Sequence, residues 1–283
     1  MKKMKLAIIL ITLVILAVAA GLGRHYVTRQ TAAEPAPDVS AAQAILVDGK
    51  TGKVLYEKNA DEKAYPASTT KIMTALLVLE TLEKYDSPID QKVAVPKEAV
   101  GVEGSSLYLK EGEKISLQDL LYGLMLRSGN DAAVALSIIA AGNTDLFVQQ
   151  MNDKAVKLHC KNTHFVNPNG LFDENHYTTV RDMSIIAREA MTHKAFRTIV
   201  AAKSWDADRE ESEFNHFYNK NKTVHQFKGG NGIKIGFTKA SGRTLVASSE
   251  RNGKELICVV MSAPNWFQDA YILMEYGFKR LEE

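Results

Sequence analysis

The sequence predicts a mixed α/β domain, with a largely antiparallel sheet covered by helices and a helical block inserted between its strands. Three observations carry this expectation. Short β-type runs stand near both ends of the chain, joined by turns tight enough for hairpins. Helical periodicity fills the stretch between them. An amphipathic helical pattern follows the last strand. Strands joined by hairpins pair antiparallel, and a sheet with an apolar face needs helices against it.

The chain has 283 residues, 46% hydrophobic and 24% charged, enough for one large core. A net charge of +2, with no basic run outside the leader, gives nucleic-acid binding no support. The two cysteines, Cys160 and Cys258, form no CxxC or metal-finger spacing. Cys258, inside Leu256-Ile257-Cys258-Val259-Val260, reads as a buried thiol.

Residues 1–23 read as an address. Lys2, Lys3 and Lys5 precede an uncharged, mostly apolar stretch from Leu6 to Gly23, closed by Arg24. As a signal peptide, Leu6 to Leu16 is the apolar region and Ala17-Val18-Ala19 the cleavage site. As a membrane anchor, the stretch spans about 27 Å, close to the ~30 Å hydrocarbon core. Either way the domain is exported, to the extracytoplasmic face of a membrane or beyond, with the lysines left inside. Residues 24–40, with Ala33-Glu34-Pro35-Ala36-Pro37, form a polar, Pro/Ala-rich spacer. One domain is expected over residues 41–283.

Ala44 to Val47 and Val54 to Tyr56 flank Asp48-Gly49-Lys50-Thr51-Gly52 as a hairpin. A long helical pattern runs from about Ser68 through Ile72, Met73, Leu76, Leu77 and Leu79. Ser116-Leu117-Gln118-Asp119 reads as a capping box for a helix reaching Arg127, broken at Ser128-Gly129-Asn130 and resumed from Asp131 to Ala140. Thr144 and Thr179, the latter with Asp182 behind it, are expected to cap two more helices. Ile233 to Thr238, Thr244 to Ser249 and Leu256 to Met261 are strand runs, the last two joined by the Asn252-Gly253 turn. The final helix begins near Asn265.

Three short segments carry chemistry: Ser68-Thr69-Thr70-Lys71, Ser128-Gly129-Asn130 and Lys234-Ile235-Gly236. Taken singly, each has an ordinary reading as a helix cap, an interhelix turn or a strand lysine. Together they place two hydroxyls, two amines and an amide in one cleft. Ser68 and Lys71 share a helical face one turn apart. A serine hydroxyl needs a base to become a nucleophile, and Lys71 can be that base only while neutral. Burial and the charge of Lys234 would both lower its pKa. Ser128 is suited to pass a proton to a leaving amine, and Asn130 to orient Lys71 and hold a substrate carbonyl. Lys234, Gly236 and Thr238 share one face of a strand. Gly236 permits close backbone approach, and the N–H groups at the helix start and at Phe237 suit an oxyanion.

The order of these motifs resembles the penicillin-recognising serine peptidases, described by S-x-x-K, S-D-N and K-T-G. Within them, the chain is most similar to the low-molecular-mass D-alanyl-D-alanine carboxypeptidases. The resemblance runs from about Ala41 to Leu281 and includes Ala44-Ile45-Leu46-Val47-Asp48 and Tyr65 to Thr74. It also includes Leu124 to Ala133 and Gly236-Phe237-Thr238-Lys239-Ala240-Ser241-Gly242. It implies the serine β-lactamase/D,D-peptidase fold. It also implies acylation of Ser68 by the D-Ala-D-Ala end of peptidoglycan stem peptides, release of D-alanine, and hydrolysis of the acyl-enzyme. β-Lactams would be covalent inhibitors, and no metal or organic cofactor is implied.

The chain departs from the family's pattern in three places. Ile235 replaces the usual threonine of K-T-G, whose hydroxyl helps hold the substrate's terminal carboxylate; Thr238 or Arg243 would be the groups to compensate. Asn169, in Asn167-Pro168-Asn169-Gly170-Leu171, stands where many relatives have histidine. Relatives often continue into a β-rich domain and a C-terminal membrane helix, and this chain ends at Glu283, which favours the anchor reading of Leu6–Gly23. A β-lactamase is the nearest alternative, but the E-x-x-L-N loop of class A enzymes is missing around Asn167 to Leu171. Endopeptidase cleavage of cross-bridges would use the same residues, and a wall-binding domain with a decayed site is the non-enzymatic alternative. An α/β-hydrolase is unsupported, because no G-x-S-x-G occurs.

Overall fold

The computed structural model describes residues 35–209 and 214–282. The chain divides into two compact units, Met1–Ala36 and Pro37–Glu283. The expected leader lies outside the described residues. Ahead of the expected start at Ala41, Val39 is buried, and Ser40 binds the Asp269 carboxylate through its N–H and its hydroxyl.

The sheet has five antiparallel strands in the order β2-β1-β9-β8-β7. They are β1 (Gln43–Asp48), β2 (Val54–Lys58), β7 (Gly230–Thr238), β8 (Gly242–Arg251) and β9 (Lys254–Met261). Period-two alternation sorts its side chains into two layers. On β9, Ile257, Val259 and Met261 face the large core, while Leu256, Cys258 and Val260 face the C-terminal helix α8 (Trp266–Glu282). Cys160 packs in the first cluster and Cys258 in the second, so the sheet separates them and both are free thiols.

Between the hairpins lies the helical block: α1 (Lys71–Lys84), α2 (Leu117–Tyr122), α3 (Asn130–Ala141), α4 (Thr144–Lys157), α5 (Val180–Ala190) and α6 (Lys194–Ala201). A short α7 (Thr223–Gln226) precedes β7. Every residue of α1 from Lys71 to Leu79 is buried, which fits a helix apolar nearly all round and running through the core. Two small ribbons complete the unit, β3 (Lys92–Ala94) with β4 (Lys114–Ser116) and β5 (Ser204–Asp206) with β6 (His216–Tyr218).

The expected caps are mostly found. Ser116 Oγ accepts from Asp119 N–H, and Thr179 Oγ1 accepts from Asp182 N–H. Thr144 is not a cap: Asn143 holds that position and accepts from Leu146 N–H, leaving Thr144 as the first helical residue. The helix expected from Ser68 starts at Lys71, after a 3₁₀ turn over Ala67–Thr70. Helix α2 continues as a wide π-type turn, Gly123–Arg127, which delivers Ser128 at φ 66°. Such turns in helices frequently accompany functional sites. Among the described residues, no single helix is long and apolar enough to cross a membrane.

Candidate active site

The site forms where the start of α1, the turn before α3 and the edge strand β7 meet. Ser68 sits in the 3₁₀ turn and is half-buried. Behind it Lys71, Ser128, Asn130 and Lys234 are all buried. Of the expected set, only Phe237, Thr238 and Ser68 reach the surface.

Lys71 Nζ has three neighbours: Ser68 Oγ at 3.0 Å, Asn130 Oδ1 at 2.7 Å and the Asn169 carbonyl at 2.6 Å. The orientation of the Asn130 amide follows from its other end, where Nδ2 donates to the Glu103 carbonyl at 2.6 Å. Two of the three neighbours of Lys71 are thus carbonyl oxygens that only accept. A neutral amine has two hydrogens and one lone pair. In the neutral amine, with both hydrogens spent on Asn130 and Asn169, the lone pair would face the Ser68 hydroxyl; in the ammonium, Nζ would donate to all three. Burial first, and the charge of Lys234 second, hold the Lys71 pKa well below the usual lysine range. Asp131 opposes this. Burial, aided by Lys220, also lowers Lys234 to about 7.

The acceptor at Asn169 is a backbone group. Its side chain turns inward to accept from Leu171 N–H. Asn167 Oδ1 accepts from the N–H of Asn169 and Gly170, and Thr74 Oγ1 donates to the Pro168 carbonyl at 2.6 Å. The loop is thereby pinned to α1, and histidine at 169 is not what this contact needs. Sequence patterns carry no signal for a carbonyl acceptor, since every residue type supplies one. Asp131, one residue past the second motif, also went unnoticed; its carboxylate accepts from Ser106 Oγ and from the N–H of Leu107 and Leu109, fixing the loop beside Asn130.

On β7, Lys234 and Gly236 face the site. A Cβ on Gly236 would stand 2.8 Å from Ser68 N, so glycine here lets the Ser68 turn lie against the strand. Lys234 Nζ donates to the Ile235 carbonyl at 3.1 Å, so that carbonyl points away from β8. By the alternation of an antiparallel ladder, the Phe237 N–H points to the same open edge. The Phe237 N–H thus lies on the strand edge that Gly236 brings against the Ser68 turn.

Ser128 Oγ is buried without a hydrogen-bond partner. The Ile235 side chain packs with the cluster under α8. Thr238 Oγ1 is engaged with Ser241 in the hairpin turn. Arg243 donates to the Pro264 carbonyl and lies over the Trp266 ring. Both suggested substitutes for the missing threonine are thus occupied. Among the described residues, no group of three or more His, Cys, Asp or Glu could hold a metal ion.

A family model described as D-alanyl-D-alanine carboxypeptidase matches residues 29–265. The chain is 37% identical over 224 residues to D-alanyl-D-alanine carboxypeptidase DacF of Bacillus subtilis, covering 79% of this chain and 57% of that protein. It is 35% identical to DacC of Escherichia coli, over 87% of this chain and 63% of the relative. It thus spans under two thirds of the length of either. Among solved structures, penicillin binding protein 6B from Escherichia coli superposes with a TM-score of 0.81 at 30% identity, covering 88% of this chain and 80% of that one. The chain belongs to the D-alanyl-D-alanine carboxypeptidase family of serine peptidases.

Proposed function

We propose that the chain is a serine D,D-carboxypeptidase that removes the terminal D-alanine from peptidoglycan stem pentapeptides. The observation that carries this reading is the contact of Lys71 Nζ with Ser68 Oγ, made by an amine whose other two neighbours can only accept. Neutral Lys71 takes the Ser68 proton as Oγ attacks the carbonyl of the penultimate D-alanine. The oxyanion settles between Ser68 N–H and Phe237 N–H. Collapse breaks the peptide bond; D-alanine leaves with a proton passed from Lys71 through Ser128, whose buried hydroxyl is otherwise unpartnered. Water, deprotonated by Lys71, then hydrolyses the ester and restores Ser68. Asn130, Lys234, Gly236 and Thr238 line the place of the substrate.

Relatives support the wider setting. A neighbour whose name records penicillin binding supports covalent capture of β-lactams at Ser68. The Lys2–Lys5 charges and the Leu6–Gly23 run support export, so the domain acts on the extracytoplasmic side of a bacterial membrane, attached through residues 1–23. The test is to treat the full chain with a penicillin and map the adduct by peptide mass spectrometry. An adduct on the peptide holding Ser68, lost in Ser68→Ala, supports the reading; an adduct elsewhere, or one that survives the substitution, overturns it.

A further inference from the structure

His176 lies outside the three motifs, yet it is joined to the nucleophile's turn. It is 2% exposed, packed edge-on against the Phe165 ring. Its two ring nitrogens have different partners. Nδ1 faces the Val166 N–H at 3.1 Å, a group that can only donate. Nδ1 is therefore the unprotonated nitrogen, and Nε2 carries the hydrogen. Nε2 lies 2.8 Å from Thr70 Oγ1, and Thr70 Oγ1 donates onward to the Ala67 carbonyl at 2.8 Å. Every donor in this chain of three bonds has one acceptor, and the direction is fixed throughout. Burial keeps the ring neutral by holding its pKa down at about 4.

The end of the chain of bonds is what matters. The Ala67 carbonyl belongs to the same peptide unit as the Ser68 N–H, and a trans peptide is planar. Fixing where the carbonyl points fixes where the N–H points. Ala67 itself stands at φ 48°, a left-handed conformation that a non-glycine residue rarely holds without support. On its other side the carbonyl rests against Gly170, where a Cβ would come within 1.9 Å.

We propose that His176 is a positioning residue for the oxyanion donor: acting through the Thr70 hydroxyl, it sets the Ala67–Ser68 peptide so that the Ser68 N–H points into the site. The inference rests on Ser68 being the nucleophile. It assigns a role to a residue that touches neither substrate nor Lys71. It also explains why threonine, a poor helix former, occupies the turn before α1.

The experiment measures acylation of the full chain by a fluorescent penicillin across a concentration series, separating the limiting acylation rate from the dissociation constant of the preceding complex. The variants are Thr70→Val, which keeps shape and removes the hydroxyl, Thr70→Ser, which keeps the hydroxyl, and His176→Gln, which retains a donor for Thr70. Losing an oxyanion donor outright costs ~10²–10³ in rate, so a misaimed one in Thr70→Val should cost at least about tenfold. The dissociation constant should stay within about twofold, because ground-state binding does not use the oxyanion site. Thr70→Ser should recover most of the rate, and His176→Gln should keep more of it than a fourth variant, His176→Phe, which leaves Thr70 without that donor. Thermal melts of each variant identify any that fail to fold. A folded Thr70→Val that acylates at the wild-type rate, or a loss confined to the dissociation constant, overturns the proposal. Ser68→Ala run alongside separates the two readings: persistent labelling there removes the nucleophile assignment itself, whereas its loss beside unaffected Thr70 and His176 variants removes only this inference.

Discussion

Asn130 Oδ1 lies 2.7 Å from Lys71 Nζ, and this contact decides what the lysine offers Ser68. In neutral Lys71 the amide oxygen takes one N–H, the Asn169 carbonyl takes another, and the serine is left with the lone pair. Replacing Lys71 by alanine should slow penicillin acylation by at least ~10²–10⁴, the usual loss when a general base is removed. Stopped-flow labelling measures it, and an unchanged rate would contradict the assignment.

Acylation should fall on the acid side as Lys71 gains its proton. Asn130→Asp would place a negative charge beside the amine and raise its pKa. At a given pH less of Lys71 would be neutral, so the acid limb of the pH–rate profile should move to higher pH. A limb that stays put or moves down would show that another group titrates there.

Lys234 is held at about 7, below the ordinary lysine value near ~10.4 that it has when unfolded. Between these values the unfolded chain binds a proton that the folded one does not, so stability rises with pH through this window. The cost of burying the charge is complete below about pH 7 and disappears towards ~10. Lys234→Met should therefore melt higher than the parent at pH 6, with the difference shrinking as the pH approaches 10, while acylation is impaired. Melting curves of both proteins from pH 6 to ~10 check the sign. Function retained at a cost in stability is common at active sites.

Gly236→Ala would put a methyl group 2.8 Å from Ser68 N, against backbone that cannot rotate away. Acylation should fall by an order of magnitude or more with the fold intact, because a shift of about 1 Å at a reacting group costs ~10². Circular dichroism with the labelling rate distinguishes this from unfolding.

The candidate side chains were legible in the sequence because the chemistry proposed for them restricts residue type to a hydroxyl, an amine and an amide, and the structure brings Ser68, Lys71 and Asn130 within hydrogen-bond distance. The sheet was legible through hairpins and through β9, where alternate residues serve two different cores. The short ribbons β3–β4 and β5–β6 were not, since three residues are too few to show alternation. The cap at Asn143 was missed because Asn143 and Thr144 are both good caps in adjacent positions. The Asn169 carbonyl and the His176–Thr70 chain depend on where loops fold back over α1, and no local pattern specifies that. Folding the loop over α1 makes the Asn169 carbonyl a neighbour of Lys71.

Ile235 marks the main difference from the family's pattern. Its side chain packs with the cluster beneath α8, so Ile235→Thr should lower stability by about 1 kcal/mol. If the hydroxyl at this position helps hold the terminal carboxylate, as the family's motif implies, turnover of peptides ending in D-Ala-D-Ala should rise. Unchanged turnover would place carboxylate binding on other residues.

The most direct test of the central claim is release of D-alanine from a stem pentapeptide by the full chain and by its Ser68→Ala variant. The account predicts release that is measurable with the parent and abolished in the variant. Equal release from both, or none from a folded parent that penicillin still acylates at Ser68, would contradict carboxypeptidase action.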